Sequence, residues 1–354
     1  MTDPVHAGLR PPARLVDIAA HAGVSLKTVT RVLKDQNNVT PETRERVLRS
    51  VAELSYVGDA GAAGLRTRKS GTIGLIIPDV RNGYYSLLAR AIEERLSEQS
   101  PTLLLGDSDE ERGQEERYLR TFRQHRVDGL IVLPAGAPSL PDAVREIPSV
   151  IVDRTVPSLA GLADHVLADH RRAAGRLVEH LVRHHRLTEV AFLGGDTAIS
   201  VVAEQERGYQ DAVAKAGRPA FVSTGHRTPD DATAGALQLF RSFTRPFGVF
   251  TTNNRMFWGA MGAIARLGLR IPTDVLLTTI DSIGEATVTG LRPTQGVVPA
   301  SDVAARSMQL LERRMAEPAS PPTTVTVDID IEFGTTCGCV PLTSSPLVLG
   351  SASR

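Results

Sequence analysis

The chain is poor in cysteine: two among 354 residues, Cys337 and Cys339. They stand too close together to staple a fold and are too few for a cysteine-based zinc site. They read as incidental thiols near a strand end in a reducing compartment. Net charge is missing as well, since 40 basic residues face 40 acidic ones, and taken whole this balance argues against a nucleic-acid partner. No apolar run reaches the roughly 18 residues of a membrane span. The first residues, Met1 to His6, lack the charged start and apolar core of a signal peptide. The expectation is a cytoplasmic protein with no membrane partner.

What is present is an ordinary globular composition, 42% hydrophobic and 23% charged, in a chain long enough for two or three domains. The charge is unevenly placed. Residues 1–70 carry eleven Lys/Arg against seven Asp/Glu, leaving the rest mildly acidic. A small basic head on an acidic body is the distribution expected when one module faces phosphate.

Leu15, Ile18, Ala19 and Ala22 repeat at helical spacing, with Asp17 in the first turn where the helix dipole favours it. Gly23 can turn without steric cost, and Ser25 is placed to cap a second helix through about Leu33, with Val29, Val32 and Leu33 on its buried side. A third helix opens at Thr40 and Pro41 and runs through Val47, Leu48, Val51 and Leu54. Two short helices, a glycine turn and a packing helix make a helix-turn-helix, whose second helix enters the major groove of DNA. Lys27, Thr28, Thr30 and Arg31 fall on that helix's outer side.

From Gly71 short apolar runs alternate with amphipathic helices. Strands are expected at 72–77, 102–105, 129–133, 150–152, 190–193, 221–223, 247–251 and 275–280, with helices at 85–98 and 115–125. Alternation of this kind indicates parallel sheets built from βαβ units. About 265 residues of it exceeds one sheet, so two lobes with a cleft are expected.

The head, Val16-Asp17-Ile18-Ala19, then Ala22-Gly23-Val24-Ser25-Leu26-Lys27-Thr28-Val29-Thr30-Arg31-Val32-Leu33, closely resembles that of the lac-repressor (LacI/GalR) family of bacterial transcriptional regulators. Val39 to Val47 and Leu54-Ser55-Tyr56 continue the pattern in register. The resemblance implies base contacts from Leu26, Lys27 and Arg31, and phosphate contacts from Thr28 and Thr30. Arg14 stands where the family prefers a capping Thr, which makes that phosphate contact charged. Lys27 can donate to guanine O6 and N7, so a G·C preference is expected at its operator position. Beyond Tyr56 relatives form a hinge helix that wedges a Leu into the minor groove. Leu65 matches it and Arg66 follows, yet Gly58, Asp59, Gly61 and Gly64 depart from the pattern, and a plain flexible linker is the competing reading.

The resemblance extends into the body through Ile73 to Asp79, Asn82 to Tyr85, Val152-Asp153-Arg154, Gly194 to Asp196, Arg207-Gly208-Tyr209, Asn253-Asn254 and Leu269 to Val275. The implied fold is α/β: a small all-α helix-turn-helix head plus a two-lobed, periplasmic-binding-protein-like body of parallel sheets flanked by helices, with three crossings between the lobes. The implied organisation is an arm at 1–13, the DNA-binding head at 14–58, a hinge at 59–70, an effector-binding and dimerisation body at 71–340, and a disordered tail at 341–354. Ligands of such sheets bind at the C-terminal ends of strands. There Tyr84 and Tyr85 offer flat faces, and Asp153, Arg154, Asn253 and Asp281 offer hydrogen-bond partners. Gln205 replaces an Arg that relatives aim at the ligand, while Arg207, two positions on, faces elsewhere. Ser282, Asn254 and Phe333 also replace residues common in relatives.

Other constellations point to no catalysis, cofactor or metal. His180 and His184, at i and i+4, lack the Glu after the first His that a catalytic zinc motif needs, and read as a solvated helix face. No nucleophile elbow or phosphate loop occurs. The expected partners are double-stranded operator DNA, a small-molecule effector, by default a sugar, and a second copy of the chain, since two-fold dimers read near-palindromic operators. The alternatives are a DNA-binding regulator with a vestigial or non-sugar cleft, and a solute-binding protein.

Overall fold

In the computed structural model the described residues are 13–33, 38–56, 70–96, 101–284 and 290–339. The chain separates into two compact units, Met1–Ser70 and Gly71–Arg354. Leu65 and Arg66, most of the expected arm and hinge, and the expected tail lie outside the described residues.

The first unit holds α1 (Leu15–Ala22), α2 (Leu26–Leu33) and α3 (Pro41–Glu53). Ile18, Ala22, Val29, Val32 and Val47 form its core, with Leu15, Val24, Val51 and Leu54 packed around them. Gly23 takes the left-handed conformation, φ 63°, that ends α1, and the amide of Val24 bonds back to Ala19 O at 3.0 Å. That is the glycine-terminated helix end its sequence suggested. The Ser25 hydroxyl accepts from Thr28 N at 3.2 Å, and Thr40 accepts from Thr43 N, so both expected caps are in place. Leu33 is a correction: it is exposed, at 40%, as is Leu48 on α3, at 49%. The core of so small a unit is filled by one face of each helix, and these two side chains fall beside it.

The second unit contains two six-stranded sheets. One has the order β11-β5-β4-β3-β1-β2, built from β1 (Thr72–Ile77), β2 (Thr102–Asp107), β3 (Gly129–Val132), β4 (Ser149–Val152), β5 (Asp164–Ala168) and β11 (Thr324–Val327). The other has the order β12-β10-β9-β8-β6-β7, from β6 (Val190–Leu193), β7 (Phe221–Ser223), β8 (Phe247–Thr251), β9 (Val275–Ile280), β10 (Thr294–Val297) and β12 (Asp330–Glu332). Every pairing is parallel except β10 with β12. Helices α4 (Gly83–Glu93), α5 (Arg112–Gln124), α6 (Leu140–Glu146), α7 (His170–Glu179), α8 (Ser200–Lys215), α9 (Pro229–Phe240), α10 (Asn254–Arg266) and α11 (Ala300–Ala316) flank them. The chain changes sheet after β5, after β10 and between β11 and β12, giving the three crossings expected.

Four strands escaped the sequence reading. β5 carries Asp164, which breaks the apolar pattern although it is fully buried. Its carboxylate accepts from Arg313 at 2.6 Å, Arg314 at 3.0 Å and Thr323 N at 2.7 Å. β10 is short and polar, and β11 and β12 are half-exposed, so none shows an apolar run. The helix expected at 85–98 begins two residues earlier, because Asn82 caps it by accepting from Tyr84 N at 2.9 Å. The helix expected at 115–125 begins at Arg112.

The Arg207-Gly208-Tyr209 run has a packing reason. A side chain at Gly208 would collide with the Arg171 carbonyl of α7, so glycine lets α7 and α8 meet backbone to backbone. Tyr209 then donates to Val190 O at 2.8 Å and accepts from Phe221 N at 2.7 Å, pinning α8 to β6 and β7.

Candidate ligand cleft and DNA-reading helix

The two sheets of the body point the C-terminal ends of their strands at one cavity of about 510 Å³, lined from both sheets. Asp153 directly follows β4 and Asp281 directly follows β9. Both carry positive φ, 65° and 84°, and each donates its amide to the neighbouring strand, to Val166 O and Gly296 O. Left-handed backbone costs a non-glycine residue about 1–2 kcal/mol, and here it turns two carboxylates into the cavity at matching places in the two sheets. Strain held at such a position is a mark of a functional site.

Around Asp153 a buried chain forms. Its carboxylate accepts from His170 Nε2 at 2.8 Å, and Gln205 Nε2 lies 3.1 Å from His170 Nδ1, which sets that nitrogen as the acceptor. Burial alone would raise the Asp153 carboxyl pKa, but His170 and Arg154 outweigh it and hold the group low. Across the cavity Asp281 accepts from Asn82 Nδ2 at 2.9 Å. There burial wins, aided by Asp153, and Asp281 is pushed up to about 6 despite that hydrogen bond.

Arg154 is placed differently from the open hydrogen-bond partner expected. It is 5% exposed, and its two terminal nitrogens grip Glu110 at 2.6 and 2.7 Å, with Tyr85 OH at 3.3 Å. Its charge is therefore neutralised within the protein. Tyr84 and Tyr85 are buried side by side, ring centres 5.2 Å apart. Asn253 caps α10 by accepting from Met256 N at 3.1 Å, so its carbonyl is engaged in the helix end. Arg207 is exposed and pairs with Glu204, as its helix position implied.

Among the described residues, three buried side-chain atoms of the lining have no hydrogen-bond partner: Tyr84 OH, Gln205 Oε1 and Arg154 Nε. Leaving such a group unsatisfied costs about 1–3 kcal/mol, which a bound ligand would recover. His170 was missed by the sequence reading because β5, which precedes it, was missed. Arg255 was missed too, although it follows the Asn253-Asn254 pair.

Polar contacts join the two sides of the cleft. Arg255 on α10 pairs with Asp79 after β1, Arg227 with Glu111 at 2.6 Å, Asn82 with Asp281, and Thr155 N with Ser200 Oγ at 2.9 Å. The lobes are latched together around the cavity.

In the first unit α2 presents Leu26, 45% exposed, and an exposed Lys27, with Arg31 half-buried. Thr28 Oγ1 lies 2.9 Å from Ser25 Oγ, and Thr30 Oγ1 donates to Leu26 O at 2.9 Å. The Thr30 proton is thus engaged within the helix and must swing away to reach a phosphate oxygen. Arg14 caps α1 only through its backbone, donating to Asp17 Oδ2 at 2.7 Å, which leaves its guanidinium out of the helix end.

A three-helix unit with an exposed polar second helix, ahead of a two-sheet body closed over a polar cavity, defines a DNA-binding regulator with a ligand-binding body. Residues 14–59 match the family model for bacterial regulatory proteins of the lacI family. Residues 70–317 match that for periplasmic binding proteins and the sugar binding domain of the LacI family. The chain belongs to the LacI family. It is 30% identical over 301 residues to the ribose operon repressor of Halalkalibacterium halodurans, covering 84% of this chain and 89% of that one. Against the catabolite control protein A of Priestia megaterium it is 28% identical, covering 90% and 97%. The lac repressor dimer bound to operator and the anti-inducer ONPF shares the fold, with a TM-score of 0.77 at 21% identity over 92% of this chain and 99% of that one. The match to the regulatory head decides against the solute-binding alternative.

Proposed function

We propose that the chain binds a near-palindromic operator as a homodimer in the cytoplasm, and that a small, neutral, hydroxyl-rich molecule of the sugar class in the cleft sets its affinity for DNA. Lys27 and Arg31 would read base edges with Leu26 beside them, Thr28 and Arg14 would contact phosphate, and Thr30 would do so after giving up its helix bond. Leu65 and Arg66 would enter the minor groove. The observation that carries the ligand class is the set of buried atoms without a hydrogen-bond partner, Tyr84 OH, Gln205 Oε1 and Arg154 Nε, in the lining of a cavity whose acidic groups outnumber its uncommitted cations.

Of the arginines in the lining, Arg154, Arg227 and Arg255 each already hold a carboxylate, and Arg112 is exposed. Asp153 and Asp281 remain as acceptors, so a ligand rich in hydroxyl donors satisfies the site where a phosphate or carboxylate would be repelled. The role is binding, not catalysis: His170 has both ring nitrogens bonded within the protein and orients Asp153 instead of taking a proton from a ligand. Ligand bridging Asp281 and Gln205 would reinforce the latch across the cleft and shift the populations of open and closed bodies.

The test is calorimetric titration of the full chain with a panel of neutral aldoses, sugar phosphates and purines, followed by operator binding with each hit. A neutral sugar should bind and change operator affinity. Preference for an anionic compound would sink the ligand assignment, and indifference of operator affinity to every bound compound would sink the switch.

A further inference from the structure

The two cysteines and the histidine run do not stay apart as the sequence reading had them. Cys337, Cys339, His180 and His185 come together, with one ligand-type atom from each lying within 4.8 Å of the others. His180 Nε2 and His185 Nε2 are 3.1 Å apart, and Cys339 Sγ stands 3.2 and 3.3 Å from them. Four such donors around a tetrahedral zinc ion, at bond lengths of about 2.0–2.3 Å, stand about 3.3–3.8 Å from one another. His180, His185 and Cys339 stand slightly closer together than that, and Cys337 completes the group within 4.8 Å.

The local backbone explains how the cluster forms. After α7 the chain continues as a π-helical turn, His180–His184, closed by His185 N bonding to His180 O at 3.2 Å. Five residues carry an ordinary α-helix well past one turn and would part the two rings. The wider π turn returns His185 to the face of His180, and such turns often mark functional sites. His184, the partner that helical spacing suggests, stacks on His180 instead, ring centres 4.9 Å apart. On the other side Gly338, at φ 81°, reverses the chain between Cys337 and Cys339 and brings both thiols to one place.

The surroundings suit a metal as well. Cys337 is buried and its sulfur accepts from the Thr294 hydroxyl at 2.9 Å, which in turn accepts from Gly334 N at 2.9 Å. Hydrogen bonds donated to sulfur stabilise a thiolate, the outer support that metal ligands have. The Phe333 ring centre lies 4.6 Å from that of His180.

We propose that Cys337, Cys339, His180 and His185 form a tetrahedral site for Zn²⁺. Two sulfurs and two imidazoles are the donor set of zinc, not of calcium or magnesium. All four ligands come from the protein, so the ion is structural: it clasps the turn after β12 to the C-terminal end of α7. The first residue of that helix, about 15 Å away along ten residues, is His170 in the ligand cleft. Binding releases the thiol protons to solvent and changes no oxidation state.

The test uses the full chain, kept reduced, stripped with a chelator and titrated with Co²⁺ and then Zn²⁺. One Co²⁺ per chain should bind with the intense visible absorption of a tetrahedral centre and thiolate-to-cobalt charge transfer, and Zn²⁺ should displace it. Cys339→Ser, at an exposed position that tolerates change, and His185→Gln should each weaken binding by more than the about 10–100-fold of second-shell changes, while His184→Gln should not. Zn²⁺ should raise the thermal midpoint of the wild type and leave that of Cys339→Ser unmoved. Absence of saturable one-to-one binding overturns the site, as does a pale octahedral spectrum that both ligand variants retain.

Discussion

Gln205 and His170 are joined by a buried hydrogen bond, amide Nε2 to ring Nδ1 at 3.1 Å, and through it α8 sets the orientation of the imidazole that holds Asp153. The family resemblance implies an Arg aimed at the ligand at the Gln205 position. In this chain it carries a neutral amide that serves the protein first and leaves one atom for the cavity.

Gln205→Leu keeps the volume and removes both functions. It should lower stability by about 1–3 kcal/mol, the cost of leaving buried His170 Nδ1 unpaired, and weaken ligand binding as well. Denaturant unfolding and titration together check it. Gln205→Arg should change ligand preference, and if it alters neither binding nor induction the weight placed on this residue is misplaced.

Asp281 sets a pH dependence. Its carboxyl is raised from 3.8 to about 6 in the folded chain, so between those values the folded protein holds a proton that the unfolded chain has released. The stability this provides is fully present below about 4 and is lost as pH rises through about 6. A ligand that donates a hydroxyl to the carboxylate favours the charged form, so its affinity should rise through the same window. Asp281→Asn should flatten both curves, and a wild-type affinity that falls as pH rises through 6 would contradict a hydroxyl donor at this group.

Glu110 neutralises a buried cation. Glu110→Gln leaves Arg154, whose side chain is 7% exposed, without its carboxylate partner. Breaking a buried pair on one side costs about 3–5 kcal/mol, and the thermal midpoint should fall accordingly. A loss below about 1 kcal/mol, the worth of a surface pair, would show that solvent reaches Arg154.

Lys27 is exposed at the start of α2. Lys27→Gln should move preference at one operator position from G·C towards A·T, by about 1–3 kcal/mol of discrimination. Selection from a randomised operator library reads this directly, and an unchanged preference removes Lys27 from base reading.

The head was the most legible part, because caps, glycine turn and apolar face are local signals, and Gly23, Ser25 and Thr40 act where their spacing puts them. The strands at 72–77, 190–193, 247–251 and 275–280 were legible for a similar reason: a buried parallel strand shows as a mainly apolar run, and their residues are almost all buried. β5 was not, since Asp164 is tolerated inside only because Arg313 and Arg314 arrive from α11, some 150 positions later. Within the cleft, Asp153 and Asp281 could be picked out by their places after apolar strands. His170, Arg255 and the pairing of Arg154 with Glu110 could not, because each depends on which elements fold next to one another.

Sequence by itself determined the kind of protein this is: a glycine-turned pair of helices for DNA, then alternating strands and helices enough for two sheets. Only tertiary structure decided what the polar residues do. Arg154 became a neutralised internal brace and Gln205 a link to His170, because burial makes an unpaired polar group costly and forces each to a partner the chain order does not name. The same rule applies to the two cysteines. Scarcity made them look incidental, and a π turn together with one left-handed glycine placed them against two histidines.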